Sequence, residues 1–198
     1  MSAFHPENNN TFDGQDYTIS NWTNESGKSD MGFFCSWVGT IKNVNFEYCH
    51  LKTGGRSAIV AANTYCNIEN VTVDRCSIED SHWACGIVAG LYNSGSVSNV
   101  TVTNSSVKSN GGTGGIVGVM NESAGTRGFY NCSISKSTVN NTGAYGESYS
   151  AALICGMLNI EGATIEFEGC SYEDDNTKEG QFVGDLYYKD GGNNIVEK

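Results

Sequence analysis

Short segments of alternating apolar and polar residues recur along the chain at nearly regular intervals. The clearest copies are Val44-Asn45-Phe46, Val71-Thr72-Val73 and Val100-Thr101-Val102, which are rich in β-branched residues. A period of two in such residues predicts β-strands that bury one face. An asparagine precedes each alternating strand, and the steps between Asn43, Asn70, Asn99 and Asn131 are 27, 29 and 32 residues. Repeats of this length without a helical period predict a solenoid of stacked β-coils.

Each repeat contains the material for three short strands. After the alternating strand, small or apolar residues expected to face inward appear again at every second position, which predicts a corner and a second strand. These pairs are Cys49/Leu51, Cys76/Ile78, Ser105/Val107 and Ser137/Val139. Apolar runs such as Gly86–Gly90 supply a third strand. Their odd and even positions are both apolar, so the sequence does not show which side chains face inward. Equivalent strands of successive coils would pair about 4.8 Å apart. We therefore predict an all-β fold: a single-stranded, right-handed parallel β-helix of about six to seven three-strand coils.

The whole chain, 1–198, is expected to form one solenoid domain. Residues 1–31 would be an N-terminal coil and cap, residues 32–171 the repeat coils, and residues 172–198 a C-terminal coil or cap. The 25 glycines and single proline are consistent with many tight corners. No apolar run is long enough for a transmembrane helix, so we expect no membrane insertion. The net charge of −11 argues against nucleic acid and anionic membranes as partners, because both require a basic surface.

Two local patterns carry a family resemblance. Gly86-Ile87-Val88-Ala89-Gly90 and Gly115-Ile116-Val117-Gly118, each followed by a Val- or Ile-rich strand, resemble the GLUG-motif repeats of bacterial surface β-solenoids. The segment Thr11–Trp22 resembles the first coil of pectate-lyase-like β-helices. The resemblance implies a secreted or cell-surface protein, although no export signal is recognisable in this sequence.

The eight cysteines do not form a metal-binding pattern. No Cys-x-x-Cys pair is present, and the three histidines are not spaced with cysteines as metal ligands, so neither a metal nor a cofactor is predicted. Instead, Cys49 aligns with Cys76 and Cys132 aligns with Cys170 in the repeat. Other copies hold Ser or Val at these positions, which favours reduced, buried thiols that act as small hydrophobic groups. The same alignment places Cys35 and Cys155 in one column with Ala61, Ala89 and Gly118.

Aromatic residues before the third strand give a candidate ligand-binding face. Aligning Gly86 with Gly115 and Ala152 places Trp83, Gly112 and Tyr149 in one column. Asp80 and His82 are close to Trp83 in the sequence, and Glu147 is close to Tyr149. One interpretation is that the two rings cover the apolar edges of loops. The other is a sugar-stacking platform, with Gly112 leaving a gap between the rings and the neighbouring polar groups binding hydroxyls.

Two classes of function remain open at this point. The first is an extracellular or cell-surface module without enzymatic activity, either adhesin-like or glycan-binding, whose partner is a glycan or another surface ligand. The alternative is a polysaccharide lyase or glycoside hydrolase that acts along a groove, with candidate acids such as Asp74, Glu79, Glu166 and Glu168. No acidic column recurs with a partnered arginine, so we assign no catalytic residue and favour the non-enzymatic class.

Overall fold

The computed structural model describes residues 10–80, 84–121, 126–142, 151–152, 154–159, 164–173, 183–186 and 194–198. These residues form strands, turns and bends, and none of them is helical. The strands are β1 (Asn10–Asp13), β2 (Thr18–Ser20), β3 (Thr23–Asn24), β4 (Phe34–Glu47), β5 (His50–Thr53), β6 (Ala61–Asp74), β7 (Ser77–Asp80), β8 (Ala84–Gly86), β9 (Ala89–Ser94), β10 (Val97–Thr103), β11 (Ser106–Ser109), β12 (Gly112–Gly114), β13 (Val117–Asn121), β14 (Thr126–Tyr130), β15 (Ser133–Ser135), β16 (Thr138–Asn141), β17 (Ala151–Ala152), β18 (Cys155–Asn159), β19 (Thr164–Glu168), β20 (Ser171–Tyr172), β21 (Val183–Leu186) and β22 (Asn194–Glu197).

The strands stack into three parallel sheets that wind around a common core. The largest sheet has 14 strands, the second runs β16-β11-β7-β5-β3, and the third runs β17-β12-β8. Each strand pairs with its equivalent in the next coil, so the predicted parallel β-solenoid is confirmed. The coils make about four complete turns, fewer than the six to seven expected. Among the described residues, β1–β3 and β18–β22 form layers that do not contribute to all three sheets.

An asparagine corner bends the largest sheet into two walls. Asn43, Asn70, Asn99 and Asn131 all have φ of +52°, a left-handed conformation that asparagine tolerates better than most residues. Their side chains form a ladder in which each Nδ2 donates to the residue one coil earlier. The donor–acceptor distances are 3.1 Å from Asn43 to Asp13, 2.9 Å from Asn70 to Asn43, 3.0 Å from Asn99 to Asn70 and 3.2 Å from Asn131 to Asn99. The ladder therefore holds equivalent corners in vertical alignment.

The valine columns after this corner form the core. Val44, Val71 and Val100 are consecutive register partners and are at most 1% exposed. Phe46, Val73 and Val102 form a second column and are fully buried. Alternation with one buried face thus holds as predicted.

The third strand and the corner after it differ from the sequence alignment by one residue. Gly86 pairs with Gly114, not with Gly115, and Gly112 pairs with Ala84, so the predicted column that joined Gly112 to Trp83 is wrong. Neither position has room for a side chain, because a Cβ on Gly86 would overlap the carbonyl oxygen of Ala89 and a Cβ on Gly114 would overlap that of Val117.

The same shift corrects the predicted cysteine column. Cys155 pairs with Val117, which in turn pairs with Ala89, so Gly118 does not belong to this column. Phe34, not Cys35, is the partner of Ala61. The sequence of the apolar run does not indicate this one-residue shift. Ile87 and Val88 lie at a bend and are both fully buried, so no polar residue marks which positions face outward.

Candidate functional site

The predicted aromatic platform falls largely outside the part of the chain that the structure describes. Trp83, His82, Tyr149 and Glu147 are not among the described residues. Asp80 is the last residue of β7, where its register partner is Thr53. The described residues thus place Asp80 at a strand end and leave the rest of this platform a prediction.

A different polar surface is built on the wall between the asparagine corner and the next corner. We call it the polar wall, and it consists of the outward residues in two parallel columns. The columns are Thr18, Asn45, Thr72, Thr101, Ser133 and Ser171, and beside them Ser20, Glu47, Asp74, Thr103 and Ser135. All eleven are at least partly exposed. Sheet pairing holds these side chains at fixed spacings of about 4.8 Å along the axis, although β2 and β20, at the two ends of the wall, are each paired on one side only.

Two exposed tyrosines border the polar wall at its N-terminal end. Tyr17 immediately precedes β2 and is 74% exposed, whereas Tyr48 immediately follows β4 and is 51% exposed. Asn21, the counterpart of Tyr48 one coil earlier, is four residues after Tyr17, which corresponds to about 13 Å of extended strand. The outward polar residues of β2 and β4 lie on the strand segments between the two corners that carry these tyrosines.

Tyr48 belongs to a second corner column with unusual residue types. Asn21, Tyr48, Arg75, Asn104 and Lys136 occupy this corner and have φ between +48° and +57°. A left-handed conformation is rare for tyrosine, arginine and lysine. The Arg75 guanidinium lies over the Tyr48 ring, 5.2 Å from its centroid, and Nη1 donates to the Tyr48 hydroxyl at 3.0 Å. One face of the Tyr48 ring is therefore occupied by a cation.

Asp74 connects this corner to the polar wall. Its Oδ1 accepts hydrogen bonds from the Thr103 hydroxyl at 2.6 Å and from Asn104 Nδ2 at 2.7 Å. Its Oδ2 lies 2.7 Å from Arg75 Nη1. The hydrogen bond from Thr103, followed by that from Asn104, holds the pKa of Asp74 below its ordinary value, despite partial desolvation. Asp74 is thus a fixed anion with three partners, which is the opposite of a general acid that must carry a proton at neutral pH.

Two of the other candidate acids, Glu166 and Glu79, also have structural partners. Glu166 accepts from the Tyr130 hydroxyl at 3.1 Å and lies 3.6 Å from Lys198 Nζ. Glu79 lies 3.7 Å from Lys52 Nζ on the five-stranded sheet, away from the polar wall. Within the described residues, no group of three or more His, Cys, Asp or Glu side chains is placed to hold a metal ion.

Comparison with known protein families, characterised proteins and solved structures finds no match to this chain. Among the residues that the structure describes, there is no helix with the length and hydrophobicity of a membrane span.

Sequence reasoning missed the two bordering tyrosines. Tyr48 stands at a position that holds Asn, Arg or Lys in the other copies, so an aromatic residue in an otherwise polar corner column was the available signal. Tyr17 had no such signal, because its exposure depends on the turn Gly14–Asp16, whose Gln15 and Asp16 both have positive φ.

Proposed function

We propose that this chain is a non-enzymatic carbohydrate-binding module of a secreted or cell-surface protein, and that the polar wall bordered by Tyr17 and Tyr48 binds a glycan chain. The observation that carries the proposal is the placement of two exposed tyrosines on either side of a strip of fixed hydroxyl, amide and carboxylate groups. Sugars have the complementary chemistry, because apolar C–H faces stack on aromatic rings while hydroxyls exchange hydrogen bonds.

The energetics favour a binding surface with several weak contacts. One stacked ring contributes on the order of 1 kcal/mol, so two rings alone give low affinity. The side chains of the polar wall are short and their backbone is fixed by sheet pairing, so little conformational entropy is lost when they bind. Repetition of the two columns along the axis offers further hydrogen bonds to each additional sugar unit.

Charge selects the class of glycan. Glu47 and Asp74 lie on the polar wall, and the chain as a whole carries a net charge of −11. Uronic-acid or sulfated polymers would be repelled by these anions. A neutral glycan is the ligand that fits, since its hydroxyls can donate to both carboxylates.

Binding of neutral oligosaccharides to a glycan array, followed by calorimetry, tests the proposal. Replacing Tyr17 and Tyr48 together by alanine should weaken binding at least tenfold, whereas Tyr65→Ala should leave it unchanged. Tyr65 is a suitable control because it is 37% exposed on the other wall of the largest sheet. A double variant, Trp83→Ala with Tyr149→Ala, tests the platform predicted from the sequence.

The outcomes separate the two faces and the two classes of function. Loss of binding in the Trp83/Tyr149 variant alone would keep the function but move the site to that face. No binding to any glycan by the folded wild-type protein would overturn the proposed function. Release of shortened sugars from a bound glycan would establish the alternative, a lyase or hydrolase.

A further inference from the structure

Two pairs of cysteines are stacked across neighbouring coils. Cys132 lies directly before Ser133, whose register partner is Ser171, so Cys132 is opposite Cys170. The Ser171 N–H donates to the Cys132 carbonyl at 2.9 Å, which fixes this alignment. Cys49 and Cys76 are opposite one another in the same way, with the Ser77 N–H donating to the Cys49 carbonyl at 2.9 Å. Stacked parallel strands bring Cα atoms to about 4.8 Å, within the range that a disulfide spans.

The two pairs differ in solvent access. Cys49 and Cys76 are 1% and 2% exposed, and Cys132 is fully buried, but Cys170 is partly exposed. Cys170 continues the inward column of Cys132, and its Sγ donates to the Phe129 carbonyl oxygen at 3.3 Å. Of these four cysteines, Cys170 is therefore the one with partial access to solvent.

We propose that Cys170 and Cys132 form a thiol–disulfide exchange site that takes a small-molecule disulfide of the glutathione type and closes a cross-coil disulfide. The Cys170 thiolate attacks one sulfur of glutathione disulfide, the S–S bond breaks, and one glutathione leaves as a thiolate. Cys132 then attacks Cys170 Sγ, the bond between Cys170 and glutathione breaks, and the second glutathione leaves as a thiol that carries the proton of Cys132. Two protein thiols are oxidised and one small-molecule disulfide is reduced to two thiols, so electrons balance.

Burial and hydrogen bonding assign the order of these steps. The Cys132 thiol is fully buried and donates to the carbonyl oxygens of Val97 and Tyr130, each at 3.5 Å. Cys170 is the partly exposed member of the pair, so it is the group that meets the reagent and attacks as the thiolate. The neighbouring Cys132 side chain lowers the pKa of Cys170, which agrees with this order. Once Cys170 is in a mixed disulfide, Cys132 is the stacked thiol that can resolve it.

The cross-coil bond would tie β15 to β20 and close a loop of roughly 40 residues in the chain. Loops of this length restrict the unfolded state enough to raise the melting temperature by about 5–10 °C in a protein of this size. Oxidation would thereby stabilise the C-terminal coils.

The experiment treats the folded, reduced protein with glutathione disulfide and maps the linked peptides by mass spectrometry. Trypsin together with a glutamyl endopeptidase separates Cys155 from Cys170, because Glu161, Glu166 and Glu168 lie between them. We expect a Cys132–Cys170 linked peptide, no Cys49–Cys76 linked peptide, and a higher melting temperature that dithiothreitol reverses.

Two variants check the order of attack. Cys132→Ser should retain one glutathione on Cys170, whereas Cys170→Ser should leave Cys132 unmodified. Cys49→Ser is the matched control and should still form the Cys132–Cys170 bond. Absence of the Cys132–Cys170 peptide from the wild-type protein, or its formation only after unfolding, would overturn the proposal even if a variant fails to fold.

Discussion

At the scale of single residues, the left-handed corners divide into two kinds. The first corner has asparagine in four coils, and the hydrogen bonds of the side-chain ladder offset the energetic cost of the left-handed backbone conformation. This corner could be predicted, because a repeated asparagine before a strand has a direct conformational meaning. The second corner holds Tyr48, Arg75 and Lys136 in the same conformation, and only the Tyr48–Arg75–Asp74 contacts explain two of them. The Tyr48–Arg75 contact joins two coils, so repeat spacing alone does not encode it, whereas Asp74 and Arg75 are adjacent in the sequence.

Asn99 offers a test of the first corner. Asn99→Ala should lower the free energy of unfolding by about 2–3 kcal/mol, because two ladder hydrogen bonds are lost and alanine is strained at positive φ. Asn99→Gly removes the same hydrogen bonds without the backbone strain, so we expect a loss smaller by about 1 kcal/mol. Urea unfolding at equilibrium measures both. Equal losses in the two variants would show that the left-handed conformation carries no cost at this position.

At the scale of strands, the register and the inward face could be predicted only where one face of the strand is polar. The segment Val71-Thr72-Val73 has a polar residue between two buried ones, and its inward side and register were predicted correctly. The run Gly86–Gly90 has no polar marker, and its alignment was wrong by one residue. Gly114 approaches the Val117 carbonyl too closely for a Cβ, a three-dimensional constraint that periodicity does not encode.

Adjacent positions on β6 test the assigned faces of this strand. Val73→Asp should abolish cooperative folding, because it buries an unpaired carboxylate in the core. Thr72→Asp places the same group on the polar wall and should cost about 1 kcal/mol or less. Circular dichroism with thermal unfolding distinguishes them. A Val73→Asp protein that melts like the wild type would refute the inward assignment.

At the scale of the whole molecule, the coils differ in length while their walls stay aligned. The offset between partners is 28 residues at Asn93 and Asn121 but 32 at Asn99 and Asn131. The additional residues fall between β13 and β14, so the sheets on either side keep their pairing. The regular walls made the solenoid predictable, whereas counting repeats gave the wrong register for the column assigned to Trp83 and Gly112.

Thiol titration tests the interior as a whole. Seven cysteines are described as free, and five of them are buried. In protein kept away from disulfide reagents, Ellman's reagent should react rapidly with few thiols in the native state and with all eight after unfolding without reductant. Two or fewer reactive thiols after unfolding would indicate a disulfide framework and contradict the free, buried state.

The asparagine ladder also gives the solenoid an electrical direction. Each amide donates toward the first coil and accepts from the next, so the side-chain dipoles add head to tail as peptide dipoles do in a helix. The positive end meets the carboxylate of Asp13, whose pKa is lowered by the Gln15 N–H and then by the Asn43 amide. At the other end the ladder stops at Gly169, which keeps the positive φ but has no side-chain amide to donate to Asn131. The two ends of the stack are therefore chemically inequivalent. A coil inserted in the same orientation would add its side-chain dipole to the series, whereas a coil inserted in the reverse orientation would set its dipole against the others.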